Sequence, residues 1–163
     1  MIHKLLGALD SSERAERVFG YSVGLAESLG ASIHLLRAIS VPPEFPPAAH
    51  VSSGDGLPGY LVKKAEADLR AFAARAPRLR IETMVRESTQ PWRVIIDVAD
   101  EIDADLIVVG SHGYFGIDHL LGTNAGKVAN LANRNVVVVH RALDRPLGES
   151  YRQARKSRRP PRT

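Results

Sequence analysis

The sequence predicts an α/β fold: a single open parallel five-stranded sheet, strand order 3-2-1-4-5, with helices on both faces. Two observations lead there. Short apolar runs alternate with amphipathic helical stretches in a βαβαβαβαβ pattern, and the central runs are apolar at successive positions, as strands covered on both faces are. Right-handed crossovers leave few topologies for such a chain. In the order chosen, strands 1 and 4 are neighbours whose onward connections leave in opposite directions. Ligands bind outside the carboxyl ends of strands at such a switch point.

Taken in order, Ile2–Leu9 is the first strand, ending at Asp10. Ser11 or Ser12 is expected to cap the first helix, with Glu13 and Glu16 where the helix dipole favours acids. Ala15, Val18, Phe19, Ser22, Leu25, Ala26 and Leu29 recur at helical spacing, and Gly30 suits the position just past the helix end. Ala31–Ile39 is the second strand. Ser40–Gly59, with five prolines and three glycines, reads as a long loop. Leu61–Ala76 is an amphipathic helix, and Arg80–Arg86 alternates like a partly exposed strand. Pro91 opens the third helix, where its missing N–H costs nothing, and Val94, Ile95, Val98, Ala99 and Ile102 are its buried face. Leu106–Val109 is a fully apolar strand. A glycine loop, Gly110–Thr123, leads to a helix running from Thr123 to about Ala132, and Val136–Val139 is the last strand.

Composition narrows the classes. The 163 residues suit one domain. Cysteine is absent, which excludes disulfides, thiolate zinc sites and a cysteine nucleophile. No apolar run approaches the roughly 20 residues of a membrane span, and the first residues hold no signal-peptide core, so a cytoplasmic protein is expected. Residues 141–163 hold eight Arg and Lys against Asp144 and Glu149, a net +6, so the first 140 residues carry −2 of the total +4. The expected organisation is a domain over residues 1–140 and a basic, flexible tail over 141–163. Nucleic acid or an acidic partner is the alternative role for that tail.

The loop after the fourth strand carries the chemistry. Gly110, Gly113, Gly116 and Gly122 permit positive φ and close approach of backbone to a ligand. Gly122-Thr123-Asn124 opens a helix whose free N–H groups favour phosphate. Asp10, at the end of strand 1, can accept from a ribose hydroxyl, help hold a metal, or simply cap the helix. His112 lies inside the loop and could touch a phosphate; His119, mostly neutral at pH 7, would be a weaker phosphate partner than Arg or Lys. Gly122-Thr-Asn-Ala-Gly126-Lys127-Val128 falls one residue short of a P-loop and has Val where Ser or Thr is needed. No GxGxxG follows strand 1, which argues against a dinucleotide. His3, His34, His50 and His140 show no metal-ligand spacing. Ser111 and Thr123 have no base near in sequence, so no catalytic residue is assigned. Trp92 reads as packing.

At these residues the chain resembles the universal stress protein family, over about residues 2–140. The resemblance is carried by the strand ending in Asp10, Val85-Arg86-Glu87, Asp105-Leu-Ile-Val-Val-Gly-Ser-His-Gly, Leu120-Leu-Gly-Thr-Asn and Val136-Val-Val-Val. It implies the same Rossmann-like fold. ATP-binding members carry Gly-x2-Gly-x9-Gly-Ser/Thr; here eight residues separate Gly113 from Gly122, a short-spacer variant. The resemblance implies ATP, with or without Mg²⁺, in a stress-response module. Asp10 would lie near the ribose and the backbone of Ala38 and Val85 near adenine. Gly110, Gly113, Gly122, Thr123 and Asn124 would hold the phosphates. It also implies a homodimer through Val136–Val139, an edge strand that otherwise invites aggregation. The alternatives are a nucleotide-free dimeric interaction protein and a slow ATPase or self-phosphorylating protein.

Overall fold

In the computed structural model, which describes residues 1–40, 56–111 and 123–140, strands and helices alternate. They are β1 (Lys4–Ala8), α1 (Ala15–Leu29), β2 (Ser32–Ile39), α2 (Gly56–Ala74), β3 (Ile81–Glu87), α3 (Pro91–Glu101), β4 (Leu106–Gly110), α4 (Thr123–Leu131) and β5 (Asn135–Val139). The strands form one sheet in the order β3-β2-β1-β4-β5, every pairing parallel, as the sequence predicts. All five carboxyl ends therefore lie on one edge. None of the helices described is long and apolar enough to cross a membrane.

Alternation along the strands divides the core. Leu5, Ile33, Leu35, Leu106 and Val108 pack with Val18, Phe19 and Ala26 of α1 and Leu69 of α2. Their neighbours Leu6, Leu36, Ile107 and Val109 point the other way, onto Ile95, Val98 and Ala99 of α3 and Ala125 and Val128 of α4. The third helix thus buries much of the face its periodicity predicts. Gly7 lets α1 lie close to β1: a Cβ there would sit 2.9 Å from Ser22 Oγ, whose hydroxyl already donates to the Val18 carbonyl at 2.8 Å.

Several boundaries differ from the sequence reading. The helix α1 starts at Ala15, with Arg14 at its cap position and no side-chain cap bond. Neither serine caps it directly, because residues 12–14 form a turn in which Ser12 Oγ accepts the Arg14 N–H at 3.2 Å. At its other end Gly30 is left-handed, φ 67°, as expected, and its N–H donates to the Ala26 carbonyl. The helix α2 begins at Gly56, five residues before Leu61, so the end of the expected loop is helical. Pro58 stands in the first turn of that helix, where no N–H is needed.

The amino edge of the sheet is closed by Asp105. Its Oδ2 accepts the N–H groups of His3 (2.7 Å) and Lys4 (3.0 Å), tying β4 to β1. Those two donors hold its carboxyl below the ordinary carboxylate value. Nearby, Arg134 donates to Asp103 (2.8 Å) and Asp100 (3.2 Å), joining the start of β5 to the end of α3.

Candidate functional site

The carboxyl edge begins where β1 runs out. Leu9 N–H still donates to the Leu36 carbonyl of β2 at 2.8 Å, and Asp10 is the first residue beyond. Asp10 Oδ1 accepts from Ser12 twice, from its N–H at 2.9 Å and from its hydroxyl at 2.6 Å. The carboxylate is fixed in orientation by the turn it organises. Asp10 does not cap α1 itself; it holds Ser12, which accepts the Arg14 N–H in the turn before the helix.

The same edge holds other residues singled out in the sequence. Ala38 lies near the end of β2 and Val85 near the end of β3. The register pairs Arg37 with Val85 and Ala38 with Arg86, so their main chains are diagonal neighbours. Gly110 ends β4 opposite Val139, and the next residue, Ser111, is buried with its N–H donating to the Val139 carbonyl at 2.9 Å. Gly110 is not left-handed; among the described residues Gly30 is the glycine with positive φ. A Cβ on Gly110 would stand 3.2 Å from Val18 Cγ2, so the passage of α1 alone favours glycine there. Thr123 opens α4, and Asn124 follows it, exposed. His112, Gly113 and Gly122 lie outside the described residues, as do Gly116 and His119.

Lys127, the lysine of the imperfect P-loop pattern, stands over the Trp92 ring, 5.2 Å from its centroid. The contact links α4 to α3. His34 is buried, 3.6 Å from Glu82 through Nδ1, and burial pushes its pKa below the ordinary value against the pull of Glu82. Among the described residues no group of three His, Cys, Asp or Glu converges as a metal site would require.

One residue of this edge was not singled out in the sequence. Arg37, on β2, is buried with a relative exposure of 5%. Its Nη1 donates to Asp68 of α2 at 2.7 Å and its Nη2 to the main-chain carbonyl of Asp10 at 3.0 Å. Its Nε has no partner among the described residues. A cation inside the otherwise apolar run Leu35–Ile39 was the available signal.

Two cavities flank the β1–α1 turn. Towards α2, one of about 480 Å³ is lined by Asp10, Ser12, Arg37, Asp68, Phe72 and Arg75, among others. Arg75 closes its far wall: it is bidentate to Glu16 at 2.8 Å and lies 5.2 and 5.3 Å from the Phe19 and Phe72 rings. Towards β5, a second of about 440 Å³ is lined by residues of α1 and of the β5 end.

The chain belongs to the universal stress protein family, whose model matches residues 1–140. It is 29% identical over 140 residues to universal stress protein A homolog 1 of Coxiella burnetii, covering 83% of this chain and 94% of that protein. Solved structures share the fold. The hypothetical protein MJ0577 superposes with a TM-score of 0.70 at 21% identity, over 88% of this chain and 99% of that one. A universal stress protein in complex with cAMP gives 0.65 at 24% identity, over 85% and 97%.

Proposed function

We propose that this protein is a stress-response module that binds an adenine nucleotide, ATP in the first instance, at the β1/β4 switch point. The observation that carries the reading is the meeting of Asp10, the main chain of Ala38 and Val85, and Gly110 at one edge, with α4 opening beside them. An oriented carboxylate suits a ribose diol, and main-chain groups at strand ends suit the hydrogen-bonding edge of adenine. The first N–H groups of α4, at Thr123 and Asn124, suit phosphate, and Mg²⁺ would accompany the phosphates. His112, Gly113 and Gly122 complete the proposed phosphate contacts. A family neighbour of the same fold in complex with cAMP supports the choice of an adenine nucleotide.

In this reading occupancy sets the state of a homodimer formed through β5. Val136, Val137 and Val138 are half-buried within one chain, on a strand with no strand neighbour on its outer side among the described residues. The test is titration calorimetry of the purified full chain with ATP and Mg²⁺, paired with light scattering. Saturable heat and a mass of two chains are expected. A folded sample giving no heat at high micromolar ATP would exclude the nucleotide, and a mass of one chain would exclude the dimer.

A further inference from the structure

Across the carboxyl edge the strands run β2, β1, β4, β5, and neighbours in a sheet lie about 4.8 Å apart. In the reading above the base lies at β2, the ribose at β1 and the first phosphate at β4. Each further phosphoryl group carries a nucleotide tail towards β5. Residues 94–126 contain no Lys or Arg, and Lys127 is held over Trp92. The connection from β4 to α4 therefore supplies no lysine or arginine, the permanently charged partners of a run of phosphates.

Cations stand on the opposite wall. The cavity of about 440 Å³ between the β1–α1 turn and the end of β5 is lined by Ser12, Glu13, Arg14, Arg17, Val139 and His140. Arg37, Arg75, Arg86 and Arg134 each hold a carboxylate at 2.7–3.1 Å. Among the described residues Arg14 and Arg17 hold none, and of the described residues on the cavity wall Glu13 is the one carboxylate beside the two arginines. The cavity joins both halves of the nucleotide site. Ser12 is shared with Asp10 through the 2.6 Å hydroxyl bond, and its Oγ accepts the Arg14 N–H. On the other side the Val139 carbonyl accepts the Ser111 N–H, next to Gly110.

We propose that this cavity receives the terminal phosphates of a polyphosphate chain. Arg14 and Arg17 bind them and so make the site prefer nucleoside di- and triphosphates to monophosphates. The placement of the chain rests on the adenine-nucleotide reading; the cationic cavity itself does not. Guanidinium groups without carboxylate partners lose little by turning to phosphate, and their planar donor fork matches its oxygens.

The test is calorimetry with ATP, AMP and inorganic tripolyphosphate on the wild type and on the double variant Arg14→Gln/Arg17→Gln, with circular dichroism to show that the variant folds. Loss of two cation–phosphate contacts should weaken ATP by about tenfold or more and leave AMP within about twofold. Tripolyphosphate should bind the wild type and not the variant. Unchanged ATP affinity in the variant, or equal losses for ATP and AMP, would overturn the proposal while leaving the nucleotide reading intact. Failure of both nucleotides on the wild type overturns the nucleotide reading; tripolyphosphate binding that depends on the arginines would still uphold the cavity. No binding of any of the three overturns both.

Discussion

The two edges of the sheet are built on opposite terms. At the amino edge charges are matched locally. Asp105 takes two main-chain N–H groups, and Arg134 spans two carboxylates. At the carboxyl edge the matching is incomplete. Among the described residues, buried Arg37 has no partner for its Nε, and Arg14 and Arg17 line a cavity without carboxylate partners. Satisfied groups contribute to stability and have nothing left for a ligand, whereas groups left wanting are the ones a ligand can complete. A parallel sheet allows this division because every strand delivers its carboxyl end, and so its ligand-facing main chain, to the same side.

The sharpest way to break the contrast is to remove the counter-charge of Arg37. Asp68→Ala leaves a guanidinium of 6% side-chain exposure without its carboxylate. The expected loss of stability is about 2–3 kcal/mol, below the usual cost of stranding a buried charge because Asp68 itself is 43% exposed. Chemical denaturation measures it. A loss under about 0.5 kcal/mol would show that Arg37 finds water or another acceptor, and the edge would be less frustrated than it looks.

Asp10→Ala comes next, and it separates ligand chemistry from folding at one residue. Losing the Ser12 bonds should cost about 1 kcal/mol of stability, the size of a lost cap. If Asp10 holds the ribose as proposed, adenine-nucleotide affinity should fall by about tenfold or more with the loss of that charge-assisted bond. Parallel melting and calorimetry distinguish the two effects. Full affinity in the variant would reduce Asp10 to a residue that shapes the turn.

The same contrast explains what could be read from the chain in advance. The strands β1 and β4 were legible because runs such as Leu106–Val109 are apolar at every position, and the strand order followed from the parallel crossovers. The start of α2 was not, because Pro58 and Gly59 signal a break although a helix accepts proline in its first turn. The serine cap is displaced because Ser12 spends its acceptor on the Arg14 N–H, in a turn that precedes the helix and that a motif does not show. Gly110 was legible as a glycine with a purpose, and the purpose that the structure supplies is packing against Val18. Arg37 escaped because its meaning lies in Asp68, 31 residues further on and brought beside it only by the fold. What depends on periodicity shows in sequence; what depends on tertiary pairing does not.

The smallest effect tests the amino edge. Asp105 has its pKa held below the ordinary 3.8 by the His3 and Lys4 N–H groups. A carboxyl lowered by folding contributes stability that is complete above the unfolded value and is lost as pH falls through the folded one. Asp105→Asn keeps an acceptor oxygen but no charge. The variant should therefore be slightly less stable than the wild type at neutral pH, and the two should converge below about pH 4. His34 acts in a separate window: its pKa is lowered from 6.5, so its contribution fades as pH falls below that value and is common to both proteins. Denaturation midpoints measured from pH 7 down to pH 3 would resolve the two limbs. A gap between the proteins that stayed constant to pH 3 would mean that the two N–H bonds act by geometry alone, and the matched edge would owe nothing to the charge of Asp105.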